Sequence, residues 1–151
     1  MMATYPEKLA ELLEDFAFVS DRNERAALLI ELADRFPAVQ VPERIATRPF
    51  PEAHRVPHCE SEAYVWAEDL PNGTQKYWFA VENPQGLSAR AMSVILDETC
   101  SGQPLEQVAE VPPDIVFTIF GREISMGKGQ GLMGIVSMVK HFARQRAAQR
   151  A

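Results

Sequence analysis

The chain opens with two stretches in which apolar residues recur at the i, i+3, i+4 and i+7 spacing of an amphipathic helix. Thr4 with Glu7, and Asp21 with Glu24, stand at the positions of capping boxes that would start these helices. Pro37 prevents continuation of the second helix. The apolar positions are Leu9, Leu12, Leu13 and Phe16 in the first stretch, and Leu29, Leu32, Ala33 and Phe36 in the second. The N-terminal part is therefore predicted to form a helical hairpin.

The middle of the chain changes from helical spacing to strand composition. Four prolines between residues 42 and 57 predict an extended surface loop. Residues 63–68 and 76–82 are rich in Tyr, Val, Trp and Phe, and the Pro-Asn-Gly sequence at 71–73 is typical of a β-hairpin turn. Because an isolated hairpin is only marginally stable, we expect a third strand in the segment just before Cys59.

Helical spacing returns in the C-terminal part. It predicts a helix over 87–100, two short helices after Pro104 and Pro113, and a final helix that follows a glycine-rich loop at 126–131. The basic end, from residue 140 onwards, is expected to fray into a tail. The final helix carries its apolar stripe at Leu132, Ile135, Val136, Val139, Phe142 and Ala143. The predicted fold class is α+β, with a small antiparallel sheet packed by the N-terminal helical hairpin and the C-terminal helices.

Composition narrows the classes of function. The chain has 151 residues, which fits one compact domain over 1–151, and a formal charge of −6. This charge repels nucleic acid and anionic lipid, so we expect a protein or small-molecule partner. No run approaches the roughly 18 apolar residues that span a bilayer, and the acidic start is unlike a secretory signal. We therefore expect a cytoplasmic protein that does not enter a membrane.

The two cysteines differ in their predicted surroundings. Cys100 is in helical register with Met92 and Leu96, on the core stripe of its helix, where a free cysteine behaves as a small apolar residue. Cys59 lies in a loop between the prolines and the first strand, where functional residues concentrate. The flanking side chains are basic at His54, Arg55 and His58 and acidic at Glu60 and Glu62. Basic side chains stabilise a thiolate and acidic side chains destabilise it. The sequence therefore leaves open whether Cys59 is reactive.

The sequence suggests two other types of site. His54, His58 and Cys59 could bind zinc with a fourth ligand, but no strong fourth ligand is evident nearby. The Gly-Lys-Gly-Gln-Gly segment around Lys128 suggests a phosphate loop, yet it lacks the full motif and a preceding strand. We therefore expect neither a resident metal nor a cofactor.

The order of these parts resembles the SufE family of sulfur acceptors over nearly the whole chain. The family cysteine loop runs G-C-x-S-x-V-[WY], and the similar segment here is His58-Cys59-Glu60-Ser61 followed by Glu62-Ala63-Tyr64-Val65-Trp66. The family segment P-S-R-x-x-G-L is met by residues 126–132, in which Lys128 stands in the place of the arginine. The family S-D-A falls near residues 84–86, where this chain has Pro-Gln-Gly.

This resemblance implies a fold like that of SufE and IscU and a role in iron-sulfur cluster assembly. Cys59 would accept persulfide sulfur from a SufS-type cysteine desulfurase, stimulate it, and supply a downstream iron-sulfur scaffold. The protein would be a carrier rather than an enzyme, and its partner-facing residues would be Arg55, His58, Glu60, Ser61 and Lys128. Two alternatives remain on the same fold: a scaffold that binds a metal or cluster, and an adaptor that regulates a desulfurase without taking sulfur.

Overall fold

The computed structural model describes residues 4–150 and has an α+β fold, as predicted. Within these residues the α-helices are α1 (Glu7–Ala17), α2 (Arg22–Asp34), α3 (Leu87–Cys100), α4 (Leu105–Val108), α5 (Ile115–Phe120) and α6 (Met126–Arg150). Strands β1 (Ala63–Asp69) and β2 (Gln75–Val81) form an antiparallel pair, and short 3-10 turns occupy Phe36–Ala38 and Glu52–His54. Helix α3 packs against α1, α2, α6 and β2, so it lies at the centre of the fold.

The two predicted N-terminal helices form, and both pack against α3. They do not pack closely on each other as the predicted hairpin would, and only one of the two capping boxes contributes a cap. The Asp21 carboxylate accepts from the backbone amide of Asn23 at 2.8 Å and starts α2. Helix α1 instead begins after Pro6, and among the described residues no side chain caps it. Because the carbonyl of Pro6 already accepts from Leu9 and Ala10, Thr4 lies too far upstream to act as the cap.

The hairpin pairs Trp66 with Trp78 at its centre and buries both of its faces. Tyr77, Phe79 and Val81 join the large core formed mainly with the helices. The opposite face forms a second, smaller cluster against the proline-rich loop. The members of this cluster are Val41, Ile45, Ala46, Phe50, Tyr64, Trp66, Trp78 and Ala80.

The predicted third strand before Cys59 was wrong, because the described residues contain a two-stranded sheet. The segment makes one isolated antiparallel bridge, between Arg55 and Tyr64, and the loop near Gln40 makes another with Phe79. Each bridge lies within two residues of a proline, Pro57 or Pro42. Proline has no backbone N–H to donate, so neither ladder is extended into a strand.

The predicted glycine-rich loop at 126–131 is the first part of α6, and the predicted basic tail is helical to Arg150. Ser125 starts the helix, since its hydroxyl accepts from the amide of Lys128 at 3.2 Å. The far end is held by Arg150, which pairs with Glu106 at 3.0 Å and donates to the carbonyl of Gly73. In the part of the chain that the structure describes, no helix is long and apolar enough to cross a membrane.

Candidate functional site

Cys59 lies in a tight turn between the Glu52–His54 turn and β1. The carbonyl of Cys59 accepts from the amide of Glu62 at 3.1 Å. His58 and Glu62 have positive φ angles of 59° and 52°, in the left-handed region that residues other than glycine seldom adopt. The turn thus bends sharply on both sides of Cys59. The left-handed angle at His58 gives a physical reason for the glycine that the SufE pattern carries at this position.

Residues outside the turn hold it against the body of the protein. The amide of Val56 donates to the carbonyl of Ala63 at 2.8 Å. On the other side, Asn83 donates its side-chain amide to the carbonyl of Glu60 at 3.3 Å and its backbone amide to the carbonyl of Ser61 at 3.1 Å. The Cys59 turn is therefore fixed from both the β1 side and the segment after β2.

The thiol of Cys59 is sheltered, with only 8% of the residue exposed. It packs directly on the backbone of α6 at Gly131. A β-carbon added at Gly131 would lie 3.2 Å from the Cα of Cys59 and 3.4 Å from its Sγ. On this side Cys59 contacts helix backbone rather than a side chain.

A small cavity of about 50 Å³ adjoins the thiol. Three predicted residues, Glu60, Ser61 and Lys128, line it together with residues that the sequence analysis did not select. Those additional residues are Ser88, Gly127, Gly131 and Leu132. The cavity wall carries charges of both signs. Lys128 and the N-terminal turns of α6 favour a negative charge there, because a helix N-terminus carries a partial positive charge, and the Glu60 carboxylate opposes one.

The starts of α3 and α6, which form part of the cavity wall, each carry an exposed apolar side chain. Met126 is 81% exposed and precedes the cavity residue Gly127. Leu87 is 41% exposed and precedes the cavity residue Ser88.

Two of the predicted residues lie outside the cavity. Arg55 pairs with Glu52 at 3.6 Å and bridges to Tyr64. His58 lines a separate, open groove of about 690 Å³ along the other flank of α6, together with Met133, Met138 and His141. The structure therefore groups Glu60, Ser61 and Lys128 with Cys59, and separates Arg55 and His58 from its cavity.

The alternative zinc set of His54, His58 and Cys59 does not converge. The Nδ1 atom of His54 is 2.9 Å from the carbonyl oxygen of Val65, and its ring stacks on Trp66. Within residues 4–150 no group of three His, Cys, Asp or Glu side chains is placed to hold a metal ion. The geometry contradicts this ligand set.

Cys100 is buried as predicted. It is fully inaccessible at the end of α3, and its Sγ lies 3.6 Å from the Oγ1 of Thr99. Burial raises the pKa of the Cys100 thiol to about 12. Because the thiolate is the nucleophile, Cys100 is inert near neutral pH.

The sequence analysis missed Asn83 and Gly131. Asn83 follows β2 in an Asn-Pro-Gln-Gly segment, a composition typical of turns, but its bond to the Cys59 turn joins residues 23 positions apart. Gly131 falls within the segment that the sequence predicts to be a loop. Because glycines are expected in a loop, no local signal distinguished Gly131 from its neighbours.

Comparisons with known proteins agree with the resemblance that the Cys59 segment carries. The SufE family, described as an Fe-S metabolism associated domain, matches residues 10–143. An uncharacterized SufE-like protein of Rhizobium etli is 27% identical over 150 residues, which covers 93% of this chain and 92% of that protein. The solution structure of a hypothetical protein from Thermus thermophilus superposes with a TM-score of 0.72 at 26% identity, over 95% of this chain and 98% of that one. Because the family match spans most of its length, the chain belongs to the SufE family, whose domain is associated with iron-sulfur metabolism.

Proposed function

We propose that this protein accepts sulfur as a persulfide on Cys59 from a SufS-type cysteine desulfurase, stimulates that enzyme, and passes the sulfur to an iron-sulfur scaffold. The carrying observation is the placement of the Cys59 thiol in a turn beside a cavity of about 50 Å³ that Lys128 also lines. In this proposal the protein is a sulfur carrier, and catalysis of cysteine desulfuration belongs to its partner. We assign the exchange to the cytoplasm, where thiols are kept reduced.

The chemistry requires one nucleophile. The Cys59 thiolate attacks the outer sulfur of the donor persulfide, and a new bond forms between that sulfur and the Sγ of Cys59. The sulfur-sulfur bond of the donor breaks, and its electron pair leaves with the donor cysteine as a thiolate. Atoms and charge balance without a metal, an external oxidant or a separate general base.

The cavity supports this chemistry in size and charge. A space of roughly 10–15 Å³ on the same measure holds one water molecule, so the cavity beside Cys59 has room for one additional sulfur atom. A persulfide is negatively charged when its outer sulfur is ionised. Lys128 and the N-terminal turns of α6 favour this charge, against the opposing effect of the Glu60 carboxylate in the same wall.

The rim supports docking of a protein partner. Met126 and Leu87 expose apolar side chains at the two helix starts that border the cavity. A desulfurase that covers these side chains would bring its persulfide to the cavity while excluding water from the transfer. The Cys59 turn must then yield enough for the 8% exposed thiol to meet the donor sulfur.

The test is intact-protein mass spectrometry after incubation with a SufS-type desulfurase and cysteine. Wild type should gain the mass of one sulfur atom, and a reductant should remove it. Cys59→Ser should lose this gain, whereas Cys100→Ala should keep it because Cys100 is buried and inert. A reducible sulfur gain that persists in Cys59→Ser would overturn the proposal.

The burial of Cys59 also favours a second candidate, an adaptor that regulates a desulfurase without taking sulfur. The two functions differ in what Cys59→Ser does to the turnover of the desulfurase. A carrier loses its stimulation with the thiol, because product sulfur stays on the enzyme. An adaptor keeps full stimulation.

A further inference from the structure

Gly131 and Gly134, one turn apart on α6, pack against the segment that carries Cys59. A β-carbon at Gly131 would meet the Cα, Sγ and Cβ of Cys59 at 3.2, 3.4 and 3.5 Å. A β-carbon at Gly134 would lie 2.7 Å from the Cγ1 of Val56, a distance that real contacts essentially never show. Val56 and Cys59 therefore pack directly against the backbone of α6. Side chains at positions 131 and 134 would prevent so close an approach.

Neighbouring glycines of the same helix behave differently. A β-carbon at Gly127 would meet nothing within 4 Å among the described residues, and one at Gly129 would make ordinary contact with Ile124 at 3.5 Å. Glycine inside a helix costs about 0.5–1 kcal/mol relative to alanine. At Gly131 and Gly134 the close approach of the Cys59 segment offsets that cost.

We propose that Gly131 is a positioning residue that sets the depth of the Cys59 thiol and keeps the adjoining space free for the outer sulfur of the persulfide. The persulfide part of this inference rests on the proposed function; the depth of the thiol does not. Gly131 acts through Cys59, which it touches, and also forms part of the cavity wall.

The direction of the effect follows from the packing. An added methyl group at position 131 would lie 3.2 Å from the Cα of Cys59, so this contact must open by a few tenths of an ångström. Movement of the Cys59 turn away from the helix opens it and raises the exposure of a residue that is now 8% exposed. The same methyl group would also narrow a cavity of only about 50 Å³.

The experiment compares two variants that each add one methyl group to α6: Gly131→Ala and Gly129→Ala, the second at a glycine that does not line the cavity. The rate of alkylation of Cys59 by iodoacetamide is measured on the isolated protein, with the modified peptide identified by mass spectrometry so that Cys100 is excluded. We expect a several-fold faster rate in Gly131→Ala and a rate near wild type in Gly129→Ala. Far-UV circular dichroism and denaturant unfolding report whether each variant is folded.

A second pair of variants decides the question if Gly131→Ala does not fold. Gly134→Ala should also lift the segment and speed alkylation, because its methyl group collides with the Cγ1 of Val56. Adding Val56→Ala removes the colliding atom and should return the rate toward wild type. If Gly134→Ala speeds alkylation only by destabilising the fold, adding Val56→Ala should not slow it again. Val56 is fully buried, so its truncation destabilises the protein further.

Equal alkylation rates in Gly131→Ala and Gly129→Ala would overturn the positioning role. If Gly131→Ala does not fold, the comparison is between Gly134→Ala and the double variant that also carries Val56→Ala. Equal alkylation rates in these two variants would also overturn the positioning role. Neither measurement involves a desulfurase, so failure of the proposed function, seen as sulfur gain in Cys59→Ser, is a separate result. Persulfide formation in Gly131→Ala, measured with the desulfurase, should be reduced relative to Gly129→Ala.

Discussion

The side-chain amide of Asn83 donates a hydrogen bond of 3.3 Å to the backbone carbonyl of Glu60. This bond joins the segment after β2 to the turn that carries Cys59, and the backbone amide of Asn83 adds a second one to Ser61 at 3.1 Å. The side-chain oxygen of Asn83 accepts in turn from the amide of Gln85 at 2.9 Å. Asn83 therefore holds its own turn and the Cys59 turn together.

Asn83→Ala should loosen the Cys59 turn while leaving the fold intact. The substitution removes the bonds to Glu60 and Gln85 but keeps the backbone bond to Ser61, so we expect a loss of about 1 kcal/mol in the free energy of unfolding. Hydrogen exchange at residues 58–62 should be faster. Denaturant unfolding and hydrogen-exchange mass spectrometry measure the two effects.

Asn72→Ala is the matched control for this variant. Asn72 accepts from the amide and hydroxyl of Thr74 in the hairpin turn, so its loss also removes side-chain bonds from an exposed turn. Exchange at residues 58–62 should stay at the wild-type rate in Asn72→Ala. If Asn83→Ala leaves it there too, the turn does not depend on Asn83.

Met126→Glu should weaken the stimulation of a partner desulfurase. A charge placed at an apolar rim position would have to be desolvated on docking, and loss of an interface anchor typically costs more than 1 kcal/mol, or about a tenfold change in apparent affinity. Titration of desulfurase activity against this protein measures the change. Alkylation of Cys59 in the isolated variant should stay at the wild-type rate.

Phe18→Glu controls for the general effect of adding an exposed acid. Phe18 is 83% exposed at the end of α1 and lines no part of the cavity beside Cys59. Stimulation by Phe18→Glu should match that of wild type. Equal weakening in both variants would contradict a docking surface at Met126.

The buried acids Cys100 and Tyr77 should make the protein less stable as the pH rises above 9. Burial raises the pKa of Cys100 from 9 to about 12, and burial also raises the pKa of Tyr77 above its usual 10. The unfolded chain releases these protons first, so the stabilisation is complete below pH 9 and is lost as the pH approaches 12. Denaturant unfolding at a series of pH values measures this loss.

Cys100→Ala separates the two contributions. It should cost about 1 kcal/mol at pH 7, since it leaves a small cavity, and it should flatten the fall in stability between pH 9 and 10, where Tyr77 contributes little. Above pH 10 the Tyr77 contribution remains. An unchanged slope between pH 9 and 10 would show that Cys100 does not titrate in that way.

Glu68 should resist protonation down to an unusually low pH. The Arg44 guanidinium donates to both carboxylate oxygens, at 2.6 and 3.0 Å, and Trp78 donates at 3.0 Å. These bonds lower the pKa of Glu68 from 4.5 to about 2. The resulting stabilisation is present above pH 4.5 and is lost as the pH falls through about 2.

Arg44→Gln should move the pKa of Glu68 back toward 4.5, because the Arg44 bonds are the largest cause of the shift. Carbon-detected NMR titration of the Glu68 carboxyl group measures this directly. Arg35→Gln, which breaks a comparable pair with Glu98, should leave the Glu68 titration unchanged. A Glu68 pKa that stays near 2 in Arg44→Gln would assign the shift to another group.

Local patterns were enough to predict most elements and to separate the two cysteines. The hairpin follows from a turn sequence between two aromatic-rich stretches, and Cys100 follows from its register with Leu96. Each of these signals lies within one continuous segment of the chain. The fold class needed no information about distant contacts.

The errors have a common physical origin in contacts between distant segments. Low helix propensity made the glycine-rich start of α6 look like a loop, and its packing against the Cys59 segment is what compensates. The C-terminal helix persists to Arg150 because Arg150 reaches Glu106 and Gly73. The local sequence also could not predict that His58 lies outside the cavity. Its place depends on how the Cys59 turn packs against the two flanks of α6.

The two isolated bridges that stand in place of a third strand occupy one position on each edge of the hairpin. Arg55 and Val56 occupy the outer edge of β1, and Val39 and Val41 bond to Phe79 on the outer edge of β2. Open strand edges invite pairing with other chains, which leads to aggregation. The contacts at these two positions therefore hinder unspecific β-pairing of the hairpin with other chains.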